Sequence, residues 1–140
     1  MREIDSREAH AEMQADPAIV YVDVRSQAEY DQGHPEGAWN LPVLLTGTLG
    51  MRPNAEFLEV AARVLPKDAP LIIGCRSGQR SAMACQMLAQ AGFQDLANVA
   101  GGFHGGIGVA GPVAGWGSCG LPSSTSPTPG KSWTELRSTG

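Results

Sequence analysis

The chain has 140 residues, a formal net charge of -4, 42% hydrophobic residues and 17% charged residues. This length suits one domain with a core of its own, and the apolar content excludes a disordered chain. The acidic balance argues against a general nucleic-acid binder. No apolar run reaches the roughly 18 residues that a membrane helix needs, and the charged start MREIDSREAH lacks the apolar segment of a signal peptide. We therefore expect a cytoplasmic protein with no membrane partner.

The first third of the chain alternates between helix and strand patterns. Ser6 can cap a helix over residues 7–14. Residues 18–24 are apolar almost throughout, as in a strand buried on both faces. Ser26 then has the spacing of an N-cap, because Glu29 follows three residues later and completes a capping box. A short helix is expected there.

The same alternation continues up to about residue 100. The predicted elements are an extended segment over residues 37–42, a helix that Asn54 caps and Pro66 ends, a strand over 70–74, a helix over 80–91 that Gly92 ends, and a short strand over 97–100. Strands that alternate with helices predict a parallel sheet covered on both faces. Ligands bind such sheets beyond the carboxyl ends of the strands, and Cys75 lies at one of these ends.

The last forty residues differ in composition. Nine of the 18 glycines lie between Gly101 and Gly120, which predicts a segment rich in loops. The stretch PSSTSPTPG and the ten residues after it contain few large apolar side chains. We therefore predict one domain over residues 1–122 and a flexible tail rich in Ser, Thr and Pro over 123–140, whose removal should leave the chemistry and the melting temperature of the protein nearly unchanged.

The segment CRSGQR joins the predicted strand 70–74 to the helix that follows. A helix N-terminus favours an anion, and Gly78 lets successive N–H groups face inward as an anion-binding nest. Arg76 and Arg80 are the only cations between Pro70 and Phe103, where one acid, Asp95, is present. We expect the Cys75 sulfur to be a thiolate nucleophile in this setting. The predicted substrate-binding residues around it are Arg76, Ser77, Gly78, Gln79 and Arg80.

A structural role is the better prediction for the remaining chemically interesting side chains. Even for Cys75, a cysteine at a strand end is by itself more often a small buried residue than a nucleophile, and the nucleophile is favoured only by the loop around it. Cys85 is expected to be buried on a helix, and Cys119 to be exposed without a function, with a resolving thiol as the alternative. No CxxC pair or zinc-type spacing is present, so no metal is predicted.

Asp23 and Arg25, at the end of the first buried strand, are expected to make hydrogen bonds and ion pairs that hold neighbouring loops. Glu29 can cap its helix or pair with a loop arginine. His34, between Gly33 and a proline, is expected to make a structural hydrogen bond rather than to act as a base.

Several motifs in order resemble the rhodanese family of sulfurtransferases. Residues 75–81, CRSGQRS, are similar to the Cys-x-x-Gly-x-Arg-Ser active-site loop of that family. The stretches VDVRSQAEYDQGHPEGAWNLP, NVAGGFHGG and GWGSCGLP resemble other signatures of the family, so that the resemblance covers about residues 1–122. Two departures are GHPEGA in place of the usual Gly-His-Ile-Pro-Gly-Ala, and a longer segment between Gly102 and Trp116.

The resemblance implies an α/β fold of the rhodanese type, with three α/β/α layers and a central, mainly parallel, five-stranded sheet. It implies that Cys75 carries sulfur as a persulfide between a donor, such as thiosulfate or a polysulfide, and an acceptor. The acceptor is then cyanide, a thiol or a sulfur-acceptor protein. No metal or organic cofactor is expected.

Two other functions stay open. One is a cysteine-dependent phosphatase or arsenate reductase of the same fold, whose loops resemble Cys-x5-Arg. The spacing here is Cys-x4-Arg, because Arg80 follows Cys75 after four residues, and a shorter cradle suits a single sulfur atom better than a phosphate. The other is a non-catalytic sulfur-carrier or interaction module, although modules that lose activity typically lose the cysteine.

Overall fold

The computed structural model describes residues 1–108 and 110–139. The helices in these ranges are α1 (Ser6–Ala15), α2 (Gln27–Gln32), α3 (Phe57–Val64), α4 (Gln79–Gln90) and α5 (Trp133–Ser138). The strands are β1 (Arg2–Ile4), β2 (Val20–Asp23), β3 (His34–Pro35), β4 (Trp39–Asn40), β5 (Leu44–Gly47), β6 (Gly50–Pro53), β7 (Leu71–Gly74), β8 (Leu96–Val99), β9 (Gly106–Gly108), β10 (Gly111–Val113) and β11 (Ser123–Ser124). None of the helices in the described ranges is long and apolar enough to cross a membrane.

The centre of the molecule is a five-stranded sheet in the order β1-β8-β7-β2-β4. Every neighbouring pair in it is parallel, so the predicted parallel sheet is confirmed. Asp23 at the end of β2 is paired with Gly74 at the end of β7, and the carboxyl ends of the central strands therefore meet at one edge. Cys75 follows at this edge.

Two buried clusters cover the two faces of the sheet. Val22, Leu71 and Ile73 face one cluster, to which α3, α4 and α5 contribute. Tyr21 and Ile72, which alternate with them along the strands, face the other cluster, to which α1 and α2 contribute. Alternate side chains of a strand point to opposite faces. The fold therefore has the predicted α/β/α layers.

The predicted helix caps and helix ends are confirmed at two positions and corrected at two others. Ser26 caps α2 and makes the predicted capping box with Glu29, and Gly92 after α4 has a positive φ of 101°. Asp5, rather than Ser6, caps α1, because its carboxylate accepts the Glu8 N–H at 2.8 Å. Asn54 lies outside α3, where its side chain accepts the Glu56 N–H at 3.0 Å.

The segment after Pro122 is packed on the domain, which corrects the expectation of a flexible tail. Trp133 and Leu136 of α5 are buried in the same cluster as α3 and α4. Ser132 caps α5 with a capping box to Glu135, and the Lys131 carbonyl accepts the Asn40 N–H at 2.9 Å. Two large apolar side chains on one short helix therefore outweigh the polar composition of the segment, because both reach the core.

The buried position of Leu136 makes the C-terminal segment a test of stability. Because Leu136 is only 2% exposed, we expect Leu136→Ala to lower the free energy of unfolding by about 2–4 kcal/mol. Truncation after Pro122 should lower it further. Urea denaturation measures both, with Leu58→Ala as the control, since Leu58 is exposed. An unchanged stability of Leu136→Ala would mean that α5 does not dock.

Candidate active site

The Cys75 thiol lies in a tight turn between β7 and α4. Cys75 is 2% exposed, and the Gly78 N–H donates to the Cys75 Sγ at 3.1 Å. Gly78 is the residue before α4 and has a φ of 113°, a left-handed conformation that side chains with a Cβ avoid. The glycine therefore lets the chain turn back on the thiol just where the helix begins.

A second segment, residues 101–106, lies along the outside of this turn; we call it the strap. The Phe103 N–H donates to the Cys75 carbonyl at 2.8 Å, and the His104 N–H donates to the Arg76 carbonyl at 2.9 Å. In a trans peptide the C=O and the N–H point in opposite directions. The N–H groups of Arg76 and Ser77 therefore point away from the strap.

The strap approaches the loop so closely that one of its residues must be glycine. A Cβ on Gly102 would lie 2.2 Å from the Cys75 carbonyl oxygen, and the φ of Gly102 is 53°. The glycine-rich segment after residue 100 thus contains at least one glycine with a steric function, because Gly102 allows backbone to pack on backbone beside the thiol.

A buried polar pair, Ser81 and Asn98, lies next to the thiol. The Cys75 thiol donates to Ser81 Oγ at 3.4 Å. The Ser81 hydroxyl in turn has two acceptors, the Gly78 carbonyl at 3.1 Å and Asn98 Oδ1. Asn98 Nδ2 faces the Glu3 carboxylate and the Gly78 carbonyl, both at 3.4 Å, and these acceptors fix the orientation of its amide. The sequence analysis missed Asn98; the available signal was one amide inside the short apolar strand β8.

Arg80 is held by Glu29. Its guanidinium donates to both carboxylate oxygens, at 2.7 and 2.9 Å. Burial alone would raise the pKa of Glu29, but the hydrogen bonds and charge of Arg80 and the hydrogen bonds from Ser26 lower this pKa to about 2. Glu29 thus has both of the roles considered from the sequence, because the same carboxylate also caps α2.

The two arginines of the loop therefore have different surroundings. The charge of Arg80 is directed at Glu29, whereas Arg76 is exposed and makes no ion pair within the described residues. Ser77 is half-buried and Gln79 is exposed. The structure therefore brings the predicted loop residues together, with one free guanidinium at the surface.

The neighbouring polar residues have the predicted structural roles. Asp23 and Arg25 form a buried ion pair at 2.7 Å, and the Arg25 guanidinium also donates to the Gly33 carbonyl at 2.6 Å. His34 Nδ1 lies 2.7 Å from the Tyr30 carbonyl oxygen, and its ring stacks on the Tyr30 ring with the centroids 3.7 Å apart.

The other two cysteines have different surroundings. Burial raises the pKa of the Cys85 thiol to about 12, so it stays protonated at neutral pH. Cys119 is half-buried and lines a small cavity together with Asp5, Ser6 and Arg7. Cys85 is thus buried as predicted, and Cys119 is less exposed than expected.

Comparison with known proteins agrees with this geometry. The sequence matches the family model of the rhodanese-like domain over residues 6–107. The chain belongs to this family. The predicted resemblance to the rhodanese family is thereby confirmed over residues 6–107.

Two rhodanese-like relatives and one solved structure show how far the similarity extends. The chain is 36% identical over 103 residues to Thiosulfate sulfurtransferase 16, chloroplastic, of Arabidopsis thaliana, an alignment that covers 74% of this chain and 78% of that protein. It is 30% identical over 122 residues to a protein named Sulfurtransferase from Allochromatium vinosum, and this alignment covers 87% of this chain and 94% of that protein. The crystal structure of Rv0390 from M. tuberculosis superposes with a TM-score of 0.76 at 29% identity, covering 90% of this chain and 98% of that one.

Other relatives are longer proteins. The chain spans 45% to 49% of the length of three further plant relatives, from Raphanus sativus and Arabidopsis thaliana. In these proteins the similar region is therefore about half of the molecule.

The Glu29–Arg80 pair predicts a pH-dependent stability. A carboxyl whose pKa is lowered on folding stabilises the protein above its usual pKa of 4.5, and this contribution is lost as the pH falls towards 2. We expect Glu29→Gln to lower the free energy of unfolding by about 1–2 kcal/mol at neutral pH, after allowance for solvent screening. The difference from the wild type should shrink below pH 4.5 and vanish near pH 2.

Urea denaturation as a function of pH measures this difference. Glu59→Gln is the matched control, because Glu59 makes an exposed surface pair with Arg63 at 3.6 Å. A Glu29→Gln difference that does not change with pH would show that Glu29 acts through packing and not through its charge.

The strap gives a second prediction. Gly102→Ala places a Cβ against the Cys75 carbonyl, and we expect it to lower the free energy of unfolding by about 2 kcal/mol and to change the rate at which iodoacetamide alkylates Cys75. Gly120→Ala is the control, since Gly120 has a similar φ of 69° with nothing within 4 Å of the added Cβ. Equal effects in both variants would mean that the backbone conformation matters and the close approach does not.

Proposed function

We propose that this protein is a sulfurtransferase in which Cys75 carries a sulfane sulfur from thiosulfate, or from a polysulfide or persulfide donor, to cyanide, a thiol or an acceptor protein. The observation that carries the proposal is the Cys75 thiol at the N-terminus of α4, with the Gly78 N–H 3.1 Å from Sγ. The names of two relatives, a thiosulfate sulfurtransferase and a sulfurtransferase, support it.

The proposed reaction has two displacement steps at sulfur. The Cys75 thiolate attacks the outer sulfur of thiosulfate, the S–S bond of thiosulfate breaks, and sulfite leaves with the bonding electrons. The acceptor nucleophile then attacks the outer sulfur of the Cys75 persulfide, and the Cys75 thiolate leaves. The enzyme returns to its starting state without a metal or an organic cofactor.

The loop would stabilise the negative charge on sulfur in both steps. The backbone N–H groups of Arg76, Ser77, Gly78 and Gln79 lie at the start of α4, where the helix dipole adds to their effect. An anion repels carbonyl oxygens. The strap binds the carbonyl oxygens of Cys75 and Arg76 and so holds them away from the thiol. In this proposal the strap keeps the donors on the side of the thiol.

The side chains of the loop have different proposed roles. Arg76, exposed at the surface, binds the anionic donor, and Ser77 and Gln79 line its approach. Arg80 acts on the loop by anchoring it to Glu29. Ser81 can turn its hydroxyl from Asn98 to the thiolate when Cys75 loses its proton, since the two groups are 3.4 Å apart.

The phosphatase and arsenate reductase alternative fits the loop less well. Besides the shorter Cys-x4-Arg spacing, both terminal nitrogens of Arg80 donate a hydrogen bond to Glu29. The Glu29 carboxylate compensates the charge of this guanidinium, which makes it a weaker partner for an oxyanion. A non-catalytic module is also less favoured, because the cysteine and its N–H donor are in place. The names of two relatives include chloroplastic and mitochondrial, so the cytoplasmic location stays a prediction.

Intact-mass analysis after brief exposure to thiosulfate, polysulfide or 3-mercaptopyruvate tests the assignment of Cys75. We expect the wild type to gain the mass of one sulfur with at least one donor and Cys75→Ser to gain none. Cys85→Ala and Cys119→Ser should behave as the wild type, because neither thiol lies in the loop.

A persulfide on the Cys75→Ser variant would contradict the assignment. The same samples, assayed with an aryl phosphate, test the alternative: hydrolysis that depends on Cys75, without a sulfur adduct from any donor, would favour the phosphatase.

A further inference from the structure

Two β-hairpins flank the loop and carry exposed apolar side chains. On the β5–β6 hairpin, Met51 Sδ lies 3.9 Å from the Arg80 guanidinium, and Leu49 at the turn is fully exposed. On the β9–β10 hairpin, Ile107 is 78% exposed and lines a cavity of about 300 Å³ together with Ser77 and Gln79. Apolar groups thus border the loop on two sides.

Exposed positive charge lies among these apolar groups. Five of the eight arginines form ion pairs with carboxylates within the described residues, and Arg7, Arg52 and Arg76 do not. Arg52 belongs to the β5–β6 hairpin and Arg76 to the loop, and both are exposed. We call Leu49, Met51, Arg52, Arg76 and Ile107 the mouth face.

Acidic residues are scarce around the mouth face, although the whole chain has a net charge of -4. The segments 44–53, 75–80 and 101–113 contain no Asp or Glu. Within the described residues, Glu29 near the loop is paired with Arg80 and Asp23 is paired with Arg25, whereas Glu3 lines the cavity. The charge complementary to this face is therefore negative.

We propose that the sulfur acceptor is a protein that docks on the mouth face through an acidic segment with a reactive cysteine. The Cys75 thiol is buried, so the accepting cysteine has to enter on a protruding segment. The apolar surface of the two hairpins is larger than a small thiol can cover, whereas a peptide segment can contact both hairpins. Acidic side chains of the segment then pair with Arg52 and Arg76.

This inference rests on the proposed function, and it adds one balanced step. The acceptor cysteine loses its proton to solvent, and its thiolate attacks the outer sulfur of the Cys75 persulfide. The Cys75–sulfur bond breaks, Cys75 leaves as the thiolate, and the acceptor cysteine becomes the persulfide. No external oxidant or reductant is needed.

The test compares synthetic acceptors on the preloaded Cys75 persulfide. The acceptors are a short peptide with one cysteine between glutamates, the same peptide with lysines in place of the glutamates, and cyanide. At low salt we expect the glutamate peptide to take sulfur roughly tenfold faster than the lysine peptide, and added salt to reduce this advantage.

The variant Leu49→Ser/Arg52→Glu should remove most of the advantage of the glutamate peptide and leave the rate with cyanide unchanged within about twofold. The matched control is Leu58→Ser/Arg7→Glu, which alters an exposed leucine and an unpaired arginine outside the mouth face. Equal rates for the two peptides, or an equal loss with cyanide, would overturn the docking proposal.

A binding measurement separates this proposal from the proposed function. A labelled glutamate peptide with serine in place of its cysteine reports docking by fluorescence anisotropy, whether or not sulfur moves. Weaker binding to Leu49→Ser/Arg52→Glu than to the control variant supports docking, and equal binding contradicts it. Failure of every donor to form a persulfide would instead contradict the sulfurtransferase function.

Discussion

Two backbone hydrogen bonds, from the Phe103 N–H to the Cys75 carbonyl and from the His104 N–H to the Arg76 carbonyl, hold the loop in one orientation. Because a planar trans peptide directs its two polar groups oppositely, fixing the carbonyls also fixes the N–H groups of the next residues. The strap can make these bonds only because Gly102 lets its backbone approach the Cys75 carbonyl. The electrostatic surroundings of the thiol are thus set by a segment that follows it by about twenty-five residues in the chain.

The Glu29–Arg80 pair changes how the loop can attract an anion. One carboxylate both caps α2 and binds the guanidinium, so the loop is anchored to the start of a helix on the opposite layer of the fold. In the proposed function, the positive potential at the loop then comes from the N-terminus of α4, from backbone N–H groups such as that of Gly78, and from the exposed Arg76. The fold holds these backbone donors in place, so they would need no reorganisation when charge develops on sulfur in the proposed reaction.

Much of this architecture could be predicted from local patterns, because apolar strands such as β2 and β7 and the capping box at Ser26 depend on neighbouring residues. The contacts that the sequence analysis missed are between distant residues. Ser81 donates to Asn98, which lies seventeen residues later on β8. The pairing of Glu29 with a loop arginine was one of two predicted alternatives, but local spacing could not show that the partner is Arg80 or that the carboxylate also caps α2. The C-terminal helix was missed for a different reason: its polar composition concealed a capping box from Ser132 to Glu135 and two apolar residues, Trp133 and Leu136, at helical spacing.

The position of this C-terminal segment also affects how the molecule meets its neighbours in solution. β4 is an edge strand of the central sheet, and an open edge is a template for pairing with another chain. The Lys131 carbonyl accepts the Asn40 N–H of this strand, and the Lys131 ammonium lies 4.0 Å from the centre of the Trp39 ring. The segment around Lys131 therefore covers this edge of the sheet, and its contacts with Trp39 and Asn40 oppose edge-to-edge association with another chain.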